Sequence, residues 1–125
     1  MEKLFTEASE DAPSILFDGD LGLLEIKGKS LPEDAIVCYT PLHQLAKEYV
    51  QHPQPKTTLI FRMEYLNSSS TKSILKIIAL FEDLPSQGYK VEIKWYYNAE
   101  DEDMRNEGEE FRKMSSLPIT LEKEQ

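Results

Sequence analysis

The sequence predicts a mixed α/β (α+β) fold, with a four- to five-stranded mixed sheet and about three helices mainly on one face. Segments of alternating apolar and polar residues, typical of half-buried strands, recur along the chain. Between them, apolar residues recur at the spacing of amphipathic helices. The resulting order is ββαβαβα with a possible last strand, and its strand–helix–strand alternation indicates parallel pairing through right-handed crossovers.

The chain has the size of one domain: 125 residues, 40% of them hydrophobic, can bury a core without disulfides or metal. We expect this domain to span residues 13–121. Residues 1–12 are polar, acidic and aperiodic, which predicts a flexible N-terminal segment. Residues 122–125, Glu-Lys-Glu-Gln, are expected to form a solvated tail.

The first half of the chain predicts a hairpin followed by a helix. Residues 14–17 and 21–29 have the pattern of two strands, joined at Asp18-Gly19-Asp20 by a strong turn signal. Residues 30–33, Ser-Leu-Pro-Glu, resemble a capping box, so a helix is expected from Pro32. Pro41 then marks either a kink or a fresh helix start, because proline has no N–H to donate.

The second half predicts two further strands with a helix after each. Residues 57–67 alternate as a strand, and residues 68–84 form the most hydrophobic helical pattern. Another strand is indicated by Val91, Ile93, Trp95 and Tyr97, which alternate with polar residues and Tyr96. An acidic helix from about residue 99 to 114 and a possible strand over residues 117–121 complete the pattern.

Charge and composition exclude several classes of partner. The net charge of −9 and the lack of a clustered basic stripe argue against nucleic acid. No apolar run approaches the roughly 20 residues that span a bilayer, so no membrane insertion is expected. A single cysteine and an N-terminus without a secretory pattern favour the cytoplasm.

The sequence offers little support for an enzyme, a metal site or a cofactor. It contains no glycine-rich phosphate loop and none of the common catalytic or zinc-binding motifs. Cys38 lies in an apolar helical stretch without an evident partner histidine, as expected of a buried structural thiol. The four acids of residues 100–103 are better explained as residues that favour a helix N-terminus.

A run of four hydroxyl residues, Ser68-Ser69-Ser70-Thr71, lies where a strand meets a helix. Such a junction has free backbone N–H groups and the positive end of a helix dipole, which suit an N-cap and also a phosphate. Asn67 or a neighbouring serine is the expected cap. Four hydroxyls exceed what one cap requires, and this surplus favours a modification site.

The chain resembles the SiaC family of bacterial regulatory phosphoproteins, whose fold is similar to STAS domains and anti-sigma-factor antagonists. The matching segments are Gly22 to Glu33, Tyr65 to Lys72, Trp95-Tyr96-Tyr97, Glu102-Asp103-Met104, Gly108 and Phe111. The resemblance implies a protein without catalytic activity that is phosphorylated on one hydroxyl and signals by binding. It also implies three kinds of partner: a serine/threonine kinase of the anti-sigma-factor type, a PP2C-like phosphatase and an output protein. In some members the unphosphorylated form binds and activates a diguanylate cyclase, and another output protein is the alternative.

When the acceptor site of the family is transferred residue by residue, the resemblance implies that Ser68, directly after Asn67, is the phosphoacceptor. Many family members carry threonine there, so Ser69 stays an alternative. Asn67, Ser69 and Ser70 are expected to shape the loop, and Tyr65 and Leu66 to line a docking surface. The predicted output is cyclic di-GMP and biofilm signalling. The alternatives are an anti-sigma-factor antagonist in transcription control, or a domain that binds a small anion or nucleotide at the same helix start.

Overall fold

The computed structural model describes residues 3–124, and Met1, Glu2 and Gln125 lie outside the described residues. One six-stranded sheet has its strands in chain order. The elements are β1 (Lys3–Thr6), β2 (Ser14–Asp18), β3 (Leu23–Ser30), α1 (Ala35–Tyr49), β4 (Lys56–Leu66), α2 (Ser68–Leu80), a 3₁₀ turn (Pro85–Gln87), β5 (Lys90–Asn98), α3 (Glu102–Met114) and β6 (Ile119–Glu124).

The sheet is antiparallel at one end and parallel at the other. Strands β1, β2 and β3 pair antiparallel, whereas β3 to β6 pair in parallel through crossovers that each carry a helix. The three helices cover one face, because Leu24, Leu59 and Ile93 are fully buried while their strand neighbours Glu25 and Ile60 are only half-buried. The predicted mixed sheet with its helices on one face is confirmed.

The structure corrects the prediction at both ends of the chain. Lys3–Thr6 are an edge strand rather than a flexible segment, with Leu4 opposite Phe17. Strand β6 continues to Glu124, so residues 122–124 are paired with β5 rather than free in solvent. The sheet therefore has six strands rather than four or five. Strand β1 was not predicted, because it is short and partly charged, whereas β6 overlaps the possible last strand indicated at residues 117–121.

The start of α1 also differs from the prediction. The helix begins at Ala35, and Asp34 is its cap, with Oδ1 accepting the Val37 N–H at 3.2 Å. Ser30 instead ends β3 with its side chain buried, and the helix passes through Pro41. The predicted end of the next helix differs too: α2 ends at Leu80 rather than at residue 84.

Trp95 anchors α3 on the sheet. Its Nε1–H donates to the Met104 carbonyl at 3.0 Å, and its ring lies 4.7 Å, centroid to centroid, from that of Phe111. Gly108 lets the helix approach, since a Cβ there would lie 2.6 Å from both Trp95 Cδ1 and Leu121 Cδ2. This close contact fixes where α3 lies.

Replacing Gly108 with alanine should therefore destabilise the protein by about 1 kcal/mol. The steric cost of overpacking, about 1–3 kcal/mol, exceeds the helix-propensity gain of about 1 kcal/mol. Urea unfolding measures this change, and Asn106→Ala, exposed on the same helix, is the control for helix propensity. A Gly108→Ala protein as stable as the wild type would show that α3 is free to shift.

Candidate functional site

Asn67 caps α2 at the junction between β4 and the helix. Its Oδ1 accepts the Ser70 N–H at 2.8 Å, and its backbone is extended, as N-cap residues usually are. The helix therefore begins at Ser68. The backbone N–H groups of Ser68 and Ser69 have no acceptor among residues 3–124, as expected of the first turn of a helix. Together with the helix dipole, these N–H groups make the junction favourable for negative charge.

The three serines of this turn have different surroundings. Ser70 is fully buried, and its hydroxyl donates to the Ser30 carbonyl at 3.0 Å. Ser69 is exposed, but its hydroxyl donates to the capping Oδ1 of Asn67 at 3.1 Å. Ser68 is exposed, and its hydroxyl has no hydrogen bond within the described part of the chain. Ser68 is thus the serine of this turn whose hydroxyl is both accessible and uncommitted.

A chain of buried hydroxyls lies beneath this turn. The Ser30 hydroxyl donates to Ser70 Oγ at 2.7 Å and lies 2.5 Å from the Tyr39 hydroxyl. Because a serine hydroxyl has one proton, Tyr39 is the donor in the second bond. Burial is the main cause that raises the pKa of Tyr39 to about 12, so the phenol keeps its proton near neutral pH. The chain links α1, β3 and α2.

The backbone of the turn is also fixed to β3. The Asn67 N–H donates to the Ser30 carbonyl at 3.0 Å, directly after the pairing of Leu66 with Ser30. Leu66 is half-buried and packs against the core, whereas the Tyr65 side chain is 53% exposed. Of these two residues, which the sequence predicts to line a docking surface, Tyr65 is therefore the one whose side chain is exposed.

Charge is segregated on the two sides of the junction. Between β4 and α3, beside Tyr65 and Leu66, lies a groove of about 640 Å³ with many acids in its lining. Burial, followed by the charges of Glu110 and Asp103, raises the pKa of Glu107 there. Between α1 and α2 lies a second groove, of about 340 Å³, whose charged residues are Lys47 and Lys76.

Two other residues that the sequence analysis considered for catalysis or metal binding, Cys38 and Asp101, have structural roles. Cys38 is half-buried, and burial, with a smaller effect from Asp11, raises the pKa of its thiol, which disfavours the reactive thiolate. Asp101 caps α3 by accepting the Met104 N–H at 3.0 Å. Within residues 3–124, no three His, Cys, Asp or Glu side chains are grouped to hold a metal ion. Among the same residues, no helix is both long and apolar enough to cross a membrane.

Sequence reasoning missed the hydroxyl chain. The sequence pattern indicates a helix cap for Ser30, and nothing in it singles out Tyr39. The strand alternation contained a signal, because Ser30 continues the inward-facing series of Leu24, Ile26 and Gly28. A serine at that position is buried and needs a polar partner.

These features define a class of small α/β domain with an exposed, uncommitted hydroxyl at a helix N-terminus. The family model described as SiaC family regulatory phosphoprotein matches residues 6–124, so the chain belongs to the SiaC family. The resemblance inferred from the sequence is confirmed. The protein is accordingly a regulatory phosphoprotein with a partner-binding role in signalling.

Solved structures with the same fold come from Pseudomonas aeruginosa. Its apo-SiaC is 27% identical, with a TM-score of 0.88 over 98% of this chain and 99% of that one. SiaC in complex with the diguanylate cyclase SiaD, whose activator it is, is 27% identical, with a TM-score of 0.90 over 97% and 99%. An uncharacterized protein of P. aeruginosa strain UCBPP-PA14 is 28% identical over 122 residues, which are 98% of this chain and 97% of that protein.

The different surroundings of Ser69 and Ser70 lead to a stability prediction. Ser70→Ala removes the acceptor of a buried hydroxyl and should lower the free energy of unfolding by about 1–3 kcal/mol. Ser69→Ala removes an exposed hydroxyl and should change it by less than about 0.5 kcal/mol. Urea titrations of the two variants give the comparison. Equal, small effects would mean that the hydroxyl chain contributes little to stability.

Proposed function

We propose that this protein is a switch in which Ser68 is reversibly phosphorylated and the unphosphorylated form binds and activates a diguanylate cyclase. The observation that carries the proposal is the exposed, uncommitted Ser68 hydroxyl at the first position of α2. The solved complex of SiaC with the cyclase SiaD, which shares this fold, supports the choice of output partner.

The surroundings of the three serines support Ser68 as the acceptor. A kinase must reach the hydroxyl and bring it in line with the γ-phosphate of ATP. Ser70 is fully buried, which opposes such access. Ser69 would first have to give up its bond to the Asn67 side chain. Ser68 requires neither change, so it is favoured over the alternative acceptor Ser69.

The fold should tolerate the phosphate. Phosphoserine carries about −1.5 to −2 charges, and it would lie beside the unpaired N–H groups of Ser68 and Ser69. Negative charge at a helix N-terminus typically contributes about 0.3–1 kcal/mol of stabilisation. Phosphorylation thus acts on partner binding rather than by unfolding the domain.

Docking is more sensitive to the phosphate than folding is. A charged group buried at an interface without a matched cation costs several kcal/mol, and about 1.4 kcal/mol is already tenfold in affinity. The exposed Tyr65 close by in the chain indicates a surface that a partner covers. Phosphorylated protein is therefore expected to release the cyclase.

Two other proteins complete the switch. A serine/threonine kinase of the anti-sigma-factor type would add the phosphate, and a PP2C-like phosphatase would remove it. The chain itself is not an enzyme in this scheme, and the switch operates in the cytoplasm, where ATP and GTP are present. Cyclic di-GMP and biofilm formation are the expected output.

Phosphopeptide mapping tests the acceptor. After incubation with the kinase from the same organism and ATP, phosphate should appear on Ser68 and disappear after phosphatase treatment. Ser68→Ala should abolish incorporation, whereas the matched variant Ser69→Ala should keep most of it. Phosphate on Ser69 in the wild-type protein, or an unmodified 67–73 peptide despite an active kinase, would contradict the assignment.

Cyclase activation tests the output. The unphosphorylated protein should increase cyclic di-GMP synthesis by the purified diguanylate cyclase of the same organism. Stoichiometrically phosphorylated protein should bind at least tenfold more weakly, because its added charge must be desolvated on docking. Circular dichroism of both forms should coincide. Equal activation by the two forms would refute a phosphorylation-controlled switch.

A further inference from the structure

We propose that Asn67 is a positioning residue that decides which serine of the turn is phosphorylated: its side-chain oxygen holds the Ser69 hydroxyl and leaves Ser68 to the kinase. This inference rests on the proposed function, which supplies the kinase and the acceptor. It adds a residue that controls the choice of acceptor, and it implies that a substitution at neither serine can move the phosphate from one to the other.

Three of the four hydroxyls at the start of α2 already donate a hydrogen bond within the fold. Ser69 donates to Asn67 Oδ1 at 3.1 Å, and Ser70 donates to the Ser30 carbonyl at 3.0 Å. Thr71 donates to the main-chain carbonyl of Asn67 at 3.3 Å. Asn67 therefore accepts two of the three bonds, one with its side chain and one with its backbone.

Burial removes two of these hydroxyls from the choice of acceptor. Ser70 is fully buried and Thr71 is half-buried, whereas Ser68 and Ser69 are both exposed. The two exposed hydroxyls differ in their hydrogen bonds: within residues 3–124 only that of Ser69 has an acceptor, the Asn67 side chain. Access to solvent thus leaves two candidates, and this one side chain distinguishes between them.

The Asn67 amide is held so that its oxygen faces the helix. The backbone N–H of Asn67 donates to the Ser30 carbonyl at 3.0 Å, and its Nδ2 donates to the Pro32 carbonyl at 3.5 Å. Its Oδ1 accepts both the Ser70 N–H, at 2.8 Å, and the Ser69 hydroxyl. An amide oxygen has two lone pairs and can accept both bonds. The same oxygen therefore caps α2 and holds Ser69.

This hydrogen bond engages the proton that phosphoryl transfer must remove. In the reaction, the serine oxygen forms a bond to the γ-phosphorus of ATP, the bond between that phosphorus and the β–γ bridging oxygen breaks, and ADP leaves. The hydroxyl proton passes to a base of the kinase. Ser69 donates its proton to Asn67 Oδ1 instead, so it reacts only from the state in which this bond is broken. A hydrogen bond of this kind lowers the population of that state by about two- to tenfold.

The choice of acceptor matters because neighbouring residues of a helix face different directions. Successive residues are turned by about 100° around the helix axis. A phosphate on Ser69 would therefore project from another side of α2 than a phosphate on Ser68. A switch that responds to charge at Ser68 needs a fold that keeps the neighbouring serine unmodified.

Site-resolved phosphopeptide mapping of four proteins tests this role. Wild type, Asn67→Gly, Asn67→Asp and Asp101→Gly are phosphorylated with ATP by the kinase from the same organism, and the ratio of phosphate on Ser69 to phosphate on Ser68 is measured. Glycine lacks the acceptor oxygen but is tolerated at an N-cap. Aspartate keeps the oxygen, and Asp101→Gly removes the corresponding cap of α3 as a control. Circular dichroism checks that each variant is folded.

Asn67→Gly should raise the ratio by about two- to tenfold, because it frees the Ser69 hydroxyl. Asn67→Asp and Asp101→Gly should keep the wild-type ratio. A folded Asn67→Gly protein with the wild-type ratio, or with phosphate on neither serine, would overturn the role of Asn67 and leave the proposed function intact. A ratio that Asn67→Asp also raises would have the same meaning. Wild-type protein without phosphate on Ser68 would overturn both.

Discussion

The main-chain carbonyl of Ser30 holds the junction of β3, β4 and α2 together. It accepts the Asn67 N–H and the Ser70 hydroxyl, both at 3.0 Å, and so fixes the start of α2 to the last residue of β3. The Ser30 side chain extends the same junction to Tyr39 on α1. Two crossover helices and two central strands therefore meet at one buried polar cluster. Satisfied polar groups in a core specify one arrangement, since any displacement leaves a buried donor or acceptor unpaired.

The uncovered face of the sheet is stabilised in a different way. Arg62 donates to Glu25 at 2.8 Å and to Glu124, and its guanidinium lies 3.9 Å from the centre of the Tyr96 ring. These contacts join β3, β4, β5 and β6 across the face opposite the helices. The charges at the centre of this face are therefore paired with one another.

Local pattern was sufficient for most of the fold and for the cap. Alternation identified the strands from β2 to β5, and Asn67 before a hydroxyl run indicated the start of α2. The start of α1 was misplaced because Ser30 and Glu33 have the spacing of a capping box, although Ser30 belongs to a strand and Asp34 supplies the cap. Features that combine residues far apart in the sequence could not be predicted from local pattern. Ser30 and Ser70 are 40 residues apart. The groove between α1 and α2 is likewise lined by residues distant in the sequence, such as Lys47 of α1 and Lys76 of α2.

Because Trp95 is buried, its intrinsic fluorescence reports on whether the protein is folded. It is the one tryptophan of the chain, it is fully buried, and its indole N–H is bonded to a carbonyl rather than to water. Its emission should thus be that of a shielded indole and should shift to longer wavelength when the fold opens. Because Trp95 contacts Phe61 of β4 and Phe111 of α3, this fluorescence can follow the integrity of the domain without an added label.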